Sequence, residues 1–532
     1  MENNALTDLG KKRQSILLNN EYDSSESNIV MGNNSESNQS DLVSRNNEER
    51  EEEEDNDFPT ANLELPSAGS TEKTAAVHIK NSKVRFKKDG QMRSNFGDMN
   101  FLPRETILDR EVKFGAKFYG FFVAFWICVV FYGLNVVCGY SLNHGSLWNS
   151  AIVHLMLKDL WKVAITDLIM YLSMYLSVLI QILIKYKFIK WKYTGVVLQS
   201  IYEILLLCYP SHFSNEMNFP WIAQIFIMLH SVVMLMKVHS FAFFNGYLWE
   251  ITNELKFSTM FFEKKSKLPD NINQALENSI EFCNSEIKSQ DFPNNISCSN
   301  FFEYSMFPVL VYQTKYPRTE KIRWDYLLTK VSGIFGIILL IIAISQFKLY
   351  PIVLHCLEIQ KTTTLWYRIK EYPFILIDTI PPFLSVYLLI FYLIWELILN
   401  SIAELSRFGD REFYAYWWNS IDWTEYARDW NVPVHKFLLR HVYHSSISAF
   451  KVNKTMATFF TFLLSSFIHE LAMYVIFRKI RFYLLMLQMS QLSLVQLSRT
   501  KWMKDKKVLG NCIFWFGIVF GPSLMCTMYL VF

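Results

Sequence analysis

Long stretches of this 532-residue sequence carry no charge, and its first 110 residues carry almost no aromatics, only Tyr22, Phe58, Phe86, Phe96 and Phe101. The charge-free runs exclude a soluble globule, because about 17 to 25 consecutive apolar residues suffice to cross a bilayer. The missing aromatics, in a stretch rich in Asn, Ser and Glu, exclude a packed N-terminal core. No basic start followed by an apolar run marks a signal peptide, so the first membrane span is expected to serve as the internal targeting signal. The eight cysteines are scattered, five of them in or against apolar runs, and give neither a disulfide framework nor a zinc spacing. Neither a repeat of solenoid period nor an inverted pair of interrupted helices stands out, so the usual hints of a secondary transporter are missing. The net charge of +3 says little, since an acidic block cancels basic ones, and no nucleic-acid partner is expected.

Apolar and aromatic material dominates from about residue 118 onward. The chain is 51% hydrophobic and 16% aromatic with a mean hydropathy of +0.13, and all fifteen tryptophans lie at Trp126 or later. Eight of the ten positions from Glu48 to Asp57 are acidic, and residues 1 to about 75 read as a disordered tail. From Lys80 to Lys117 the charge turns basic ahead of the first apolar run, which by the positive-inside rule predicts a cytosolic N-terminus. Candidate spans cover residues 118–138, 168–184, 193–209, 219–236, 331–347, 379–395, 455–477, 482–497 and 508–532. They predict an all-α polytopic membrane protein with about nine transmembrane helices. A disordered cytosolic tail with a basic juxtamembrane segment is expected over 1–95, and a membrane domain over 96–532. The 482–497 run is short and studded with Gln and Ser, so it could be re-entrant or interfacial. Lys185, Lys187, Lys190 and Lys192 agree with an alternation that puts 256–326 and 400–454 in the cytosol. Arg478, Lys479 and Arg481 then fall on the lumenal side, which implies either a miscounted span or a cluster buried in protein. Sequons at Asn33, Asn38, Asn295 and Asn453 are expected to be unused.

An ionisable side chain at membrane depth costs roughly 2.5 to 3.5 kcal/mol even on the lenient insertion scale. Glu203 and His230 lie at such depth, and both have an adequate structural reading as groups satisfied between helices. The adjacent His469 and Glu470 differ. They sit well inside TMATFFTFLLSSFIHELAMYVIF, and their side chains point about 100° apart on a helix, so they cannot simply satisfy each other. A protease-type zinc helix needs a second His where Met473 stands, so no metal is expected. What remains, beside a satisfied core residue, is an imidazole whose neutral form burial favours and which is a competent proton acceptor. The other constellation is FYAYWWNSIDWTEYARDWNVPVHKFLLRHVYH at 413–444. It reads either as an amphipathic interfacial segment or as a holder of a polyanionic ligand at the membrane surface. Asn431 and His435 are spaced i, i+4, Pro433 sits near a helix start, and Lys436, Arg440 and His441 add positive charge.

On these residues the sequence resembles the membrane-bound O-acyltransferase family, in its branch of sterol and diacylglycerol acyltransferases, and looks closest to the yeast-type sterol acyltransferases. FYAYWWN at 413–419 resembles the family's FYxDWWN. WNVPVHKFLLRHVYHSSISAFK at 430–451, SSFIHELAMYVIF at 465–477 and FPVLVYQTKYPRTEKIRW at 307–324 carry the rest. The resemblance implies transfer of a fatty acyl group from acyl-CoA to the 3-hydroxyl of a sterol, ergosterol or a precursor, giving steryl esters for storage. It further implies a homo-oligomer in the endoplasmic reticulum membrane, with membrane lipid around it, acyl-CoA as co-substrate and no bound cofactor. By this resemblance His469 takes the place of the catalytic histidine, Asn431 that of the second active-site residue, and His435 that of a histidine beside it. Glu470 falls where the diacylglycerol branch has a functional glutamate. Phe413, Tyr414, Tyr416, Trp417, Trp418 and Asn419 stand in the block associated with acyl-CoA binding, with Lys436 and Arg440 as plausible phosphate contacts. Tyr416 occupies the motif's acidic position, and a phenol supplies no carboxylate at neutral pH; Asp422 is the nearby acid. A diacylglycerol acyltransferase would use the same groups on a glycerolipid hydroxyl, and a non-catalytic lipid-binding relative is the remaining alternative.

Overall fold

Polar side chains just ahead of apolar or amphipathic runs set where several helices begin. Ser150, Ser297, Asp422 and Asn453 each accept a bond from a backbone N–H two or three residues on, Asn453 from Met456 at 2.8 Å. The structure is a computed structural model that describes residues 85–86, 92–93, 99, 101–111, 119–263, 270–450, 452–503 and 506–532. The acidic tail and most of the basic segment ahead of the first span lie outside the described residues, as do Asn33 and Asn38.

After a two-residue antiparallel pairing of Arg85–Phe86 with Met92–Arg93, the elements are helical. A short α1 (Ile107–Glu111) precedes the runs α2 (Tyr119–His144), α3 (Ala151–Lys185), α4 (Trp191–Glu216) and α5 (Trp221–Glu263). Then come α6 (Asp270–Ser289), α7 (Cys298–Met306), α8 (Trp324–Thr362) and α9 (Leu365–Leu405). The chain ends with α10 (Trp423–Asp429), α11 (Val432–Leu438), α12 (Lys454–Phe477), α13 (Tyr483–Ser498) and α14 (Lys507–Val531). Among the described residues, eight of these are long and apolar enough to cross a membrane, namely α2, α3, α4, α5, α8, α9, α12 and α14.

The ninth expected span is α13. Its 16 residues rise about 24 Å, less than a hydrocarbon core of about 30 Å, and Gln488, Gln491 and Gln496 interrupt its apolar surface. The basic turn before it is not buried in protein: Arg478 and Lys479 are exposed, and the Arg478 guanidinium reaches the Gln224 carboxamide near the start of α5.

The 43 residues of α5 would extend about 65 Å, well beyond one bilayer, and make it the central pillar. It packs against α4, α6 and α12. Val238, Phe241, Phe244, Tyr247 and Leu248 on it enter a core that continues through Phe301, Tyr304, Tyr312, Phe408 and Phe413. Each fully buried side chain of this size contributes about 1.5 to 3 kcal/mol of burial. The intramembrane polar groups on these helices have partners: His230 with Asp167 at 2.5 Å, and Glu203 with His239 at 3.0 Å and Gln199 at 2.8 Å. Asn295 is buried, donating to Asn245 at 2.8 Å, while the exposed Asn453 caps a helix through its side-chain oxygen. Among the described residues four turns are π-helical; one of them, Leu439–His444, continues α11, and another, Tyr392–Ile398, carries Glu396.

Candidate active site

At the head of α11 the 413–415 segment lies beside the end of α10 and the turn into α11. The Ala415 N–H donates to the Asp429 carbonyl at 2.7 Å, and the Val432 N–H donates to the Phe413 carbonyl at 3.1 Å. Residues 413–415 therefore frame 429–432, and Asn431 sits inside that frame. Phe413, Tyr414 and Trp417 are buried. The Trp417 ring packs against Trp430 at 4.7 Å and Phe391 at 5.1 Å. These three residues of the FYAYWWN block are thus core that shapes the frame, while Tyr416 and Trp418 are half-buried and Asn419 is exposed. Next to them Trp423 packs on α14 at Gly517, where a Cβ would come within 2.4 Å of the indole.

Tyr416 has its own partners in place of those a carboxylate would take. Its hydroxyl accepts from Arg110 Nη2 at 2.7 Å and donates to Glu111 Oε1 at 2.9 Å. Asp422 does not stand in for the missing acid: it caps α10, accepting from the N–H groups of Thr424 and Glu425 at 2.7 and 2.9 Å.

Asn431 is the N-cap of α11, its Oδ1 accepting from the Val434 N–H at 3.2 Å. That bond decides the orientation of the carboxamide, since only oxygen can accept there. The Nδ2 group points the other way and has no protein partner among the described residues, which leaves a preorganised donor. One turn on, burial, aided by the charges of Arg428 and Lys436, pulls the half-buried His435 imidazole down to about 4, so it is neutral at pH 7. Lys436 lies over the Phe101 ring at 4.9 Å and 3.9 Å from Asp410. It lines a small cleft with Phe101, Phe413, Val432 and Pro433.

Arg440 is elsewhere. It is buried in the π turn that continues α11, donates to the Tyr312 carbonyl at 3.2 Å, and burial pulls its guanidinium down to about 10. A phosphate contact at a surface mouth is not what that position offers. His441, in the same turn, is also buried, with its Nε2 2.8 Å from Ser240 Oγ.

The two polar neighbours on α12 divide as their 100° separation requires. The His469 Nδ1 lies 2.8 Å from the Ser465 carbonyl, an acceptor only, so Nδ1 carries the proton and Nε2 presents a lone pair. His469 is accessible, not buried as its place inside an apolar run predicts. Glu470 turns away into the α12–α13 junction. Its carboxylate accepts from the N–H groups of Phe482 at 2.8 Å and Leu485 at 3.2 Å and from the Tyr529 hydroxyl at 2.6 Å, capping the start of α13. Helix α12 packs against α5 and against the π turn that follows α11. Among the described residues no hydrogen bond joins His469 to Asn431 or His435.

Several charged residues of this region stand at the edges of apolar runs in the sequence, where a charge reads as the end of a span. Lys330 precedes the expected span 331–347, and Glu396 follows 379–395. Both are buried and paired with each other at 2.5 Å. Glu404, also buried, meets Arg323 at 3.0 Å and the Arg411 guanidinium.

The model of MBOAT, the membrane-bound O-acyltransferase family, matches residues 118–531. Sterol O-acyltransferase 2 of Saccharomyces cerevisiae is 48% identical over 80% of this chain and 69% of its own length. Sterol O-acyltransferase 2 of Candida albicans is 40% identical over 99% of this chain and 98% of its own length. Diacylglycerol O-acyltransferase 1 of Dictyostelium discoideum is 34% identical, over 45% of this chain and 37% of its own length.

Proposed function

The chain belongs to the membrane-bound O-acyltransferase family, and from that premise we propose that it transfers a fatty acyl group from acyl-CoA to the 3-hydroxyl of a sterol. It is a multi-pass membrane acyltransferase of the sterol branch: similarity to sterol O-acyltransferases runs through most of its length, while that to a diacylglycerol acyltransferase covers less than half. The observation that carries the chemistry is His469, an accessible imidazole within the apolar helix α12 whose Nδ1 proton is held by Ser465.

A sterol hydroxyl is a weak nucleophile, so a base must take its proton as it attacks. His469 Nε2 is that base. The sterol oxygen bonds to the thioester carbon, and the carbonyl oxygen gains the negative charge. Asn431 Nδ2, free of protein partners, donates to this oxyanion; a preorganised donor of that kind contributes about 2.7 to 4 kcal/mol. Collapse breaks the C–S bond, and the departing thiolate takes the proton back from His469, leaving CoA as the thiol and the imidazole neutral. No acyl-enzyme is required. A neutral His435 beside Asn431 keeps a second positive charge out of the frame, and Lys436 at the cleft is the cation offered to the CoA phosphates. In this reading residues 96–532 form the catalytic domain, in the endoplasmic reticulum membrane with the N-terminus cytosolic, so that CoA enters from the cytosol and the sterol from the bilayer.

The test is purified full-length protein in detergent given labelled acyl-CoA with ergosterol, cholesterol or diacylglycerol. Steryl ester from the wild type and a fall of at least about 10²-fold in His469→Ala are expected. Near wild-type rate in His469→Ala removes the base assignment, and turnover of diacylglycerol alone moves the chain to the other branch.

A further inference from the structure

The segment 101–111 crosses the aromatic block and is attached to it at three levels. In the backbone, the Arg104 N–H donates to the Gly409 carbonyl and the Arg411 N–H to the Arg104 carbonyl, both at 3.1 Å. At the outer edge, Arg110 and Glu111 hold the Tyr416 hydroxyl. Between these levels lies a buried ionic cluster. Lys330 Nζ bridges Asp109 Oδ1 at 2.8 Å and Glu396 Oε1 at 2.5 Å. Hydroxyls satisfy the remaining carboxylate oxygens: Tyr326 donates to Asp109 Oδ2 at 2.5 Å, and Tyr414 donates to Glu396 Oε2 at 2.7 Å. Thr106 adds a bond to Glu396 Oε1 at 3.3 Å.

Such a cluster does not explain itself by stability, because an apolar replacement of a whole buried ion group is often neutral or stabilising. Its geometry is specific instead. Glu396 is 1% exposed and sits on the π turn Tyr392–Ile398, an insertion that changes which way a helical side chain faces. It receives the hydroxyl of Tyr414, the middle residue of the 413–415 segment that frames Asn431. Burial alone would raise the Asp109 carboxyl, but Lys330, Tyr326 and Thr106 outweigh it and hold it below its ordinary value, so Asp109 stays ionised as the anchor.

We infer that Asp109, Lys330 and Glu396 are positioning residues for acyl-CoA: through Tyr414 they hold the 413–415 segment against 429–432, and with it Asn431 and the cleft beside Lys436. The inference rests on the reading above that this frame serves the acyl donor. It makes the segment ahead of the first span part of the donor site although none of its carboxylates touches the donor.

Full-length protein in detergent is measured two ways: equilibrium binding of a non-hydrolysable thioether analogue of acyl-CoA, and steady-state KM for acyl-CoA and for sterol separately. Tyr414→Phe removes one oxygen and Asp109→Asn one charge. Each is expected to weaken analogue binding and raise KM for acyl-CoA by about five- to tenfold, with KM for sterol within about twofold. The double variant should be no worse than the more severe single, because both act through one cluster, and Asp109→Glu should recover part of the loss. Wild-type affinity for the analogue in Tyr414→Phe and Asp109→Asn overturns the inference, as do equal shifts in both KM values or effects that simply add. If Asp109→Asn does not fold, Tyr414→Phe decides alone. If the wild type itself fails to bind the analogue, the donor reading of the frame falls and this inference with it.

Discussion

Asn431 does two separable things, and one substitution separates them. Its Oδ1 caps α11 through the Val434 N–H at 3.2 Å, while its Nδ2 is left for an oxyanion. Replacing Asn431 by Ala removes both functions; loss of the cap costs about 1 kcal/mol, within a range of about 0.5 to 2. Replacing it by Asp keeps an acceptor of equal capping strength, and a carboxylate at a helix start gains about 0.3 to 1 kcal/mol from the helix dipole. Asn431→Asp is therefore expected to melt within a degree or two of the wild type. Yet it has no N–H to offer, and its charge repels an oxyanion. The missing donor alone corresponds to about 10²- to 10³-fold in kcat, or about 2.7 to 4 kcal/mol. The assay pairs thermal unfolding in detergent with initial rates at saturating acyl-CoA and sterol. Asn431→Asp with wild-type stability and kcat within about threefold of wild type would refute the donor role. Activity that falls only in proportion to melting temperature across Ala and Asp would reduce Asn431 to its cap.

Glu470→Ala strips the cap of α13 and a hydroxyl partner, so a loss of about 2 to 4 kcal/mol in unfolding free energy is expected, seen in the melting temperature before it is seen in kcat. A Glu470→Ala protein that melts normally but does not turn over would place the carboxylate in the chemistry. His435 is held down to about 4 when folded, against an unfolded value near 6.5, so between these pH values the unfolded chain binds a proton that the folded chain does not. Stability from this group is complete above about pH 6.5 and is lost as pH falls toward 4; melting curves of wild type and His435→Gln should converge over that window, and parallel curves would contradict the assignment. Tyr416→Asp keeps a partner for Arg110 but sets a like charge beside Glu111, at a half-exposed site where such pairs are worth about 0 to 1 kcal/mol, so no gain in acyl-CoA affinity beyond about twofold is expected. A tenfold gain would show that the phenol costs the protein something the geometry does not reveal.

Much of the membrane architecture is legible in the sequence because each span is a local property, a run of apolar residues between charges. The same rule hides what matters at the ends of those runs. Lys330, Glu396 and Asp167 look like span boundaries, yet each is paired inside the bundle. The eight long helices match eight of the nine expected runs, and α13 fails on length and on its glutamines. At the candidate site, His469 and Asn431 stand out from sequence by depth and by motif. What the FYAYWWN block does could not be read that way: Phe413, Tyr414 and Trp417 build the frame around Asn431, and Tyr416 is tied to Arg110 and Glu111. Arg440 and Glu470 carry charges that suggest ligand or catalytic work, and tertiary contacts turn both inward to structural partners.

The sequence by itself determined that this is a polytopic membrane protein of the O-acyltransferase family with an imidazole inside an apolar run, because hydrophobic runs, caps and motifs are written in neighbouring residues. Only the tertiary structure decided which polar groups are free to act. A bond such as Tyr414 to Glu396, or Lys330 to Asp109, joins residues far apart in the chain and leaves no local pattern. An Asn431 amide or His469 nitrogen without a partner among the described residues is defined by what the fold places elsewhere.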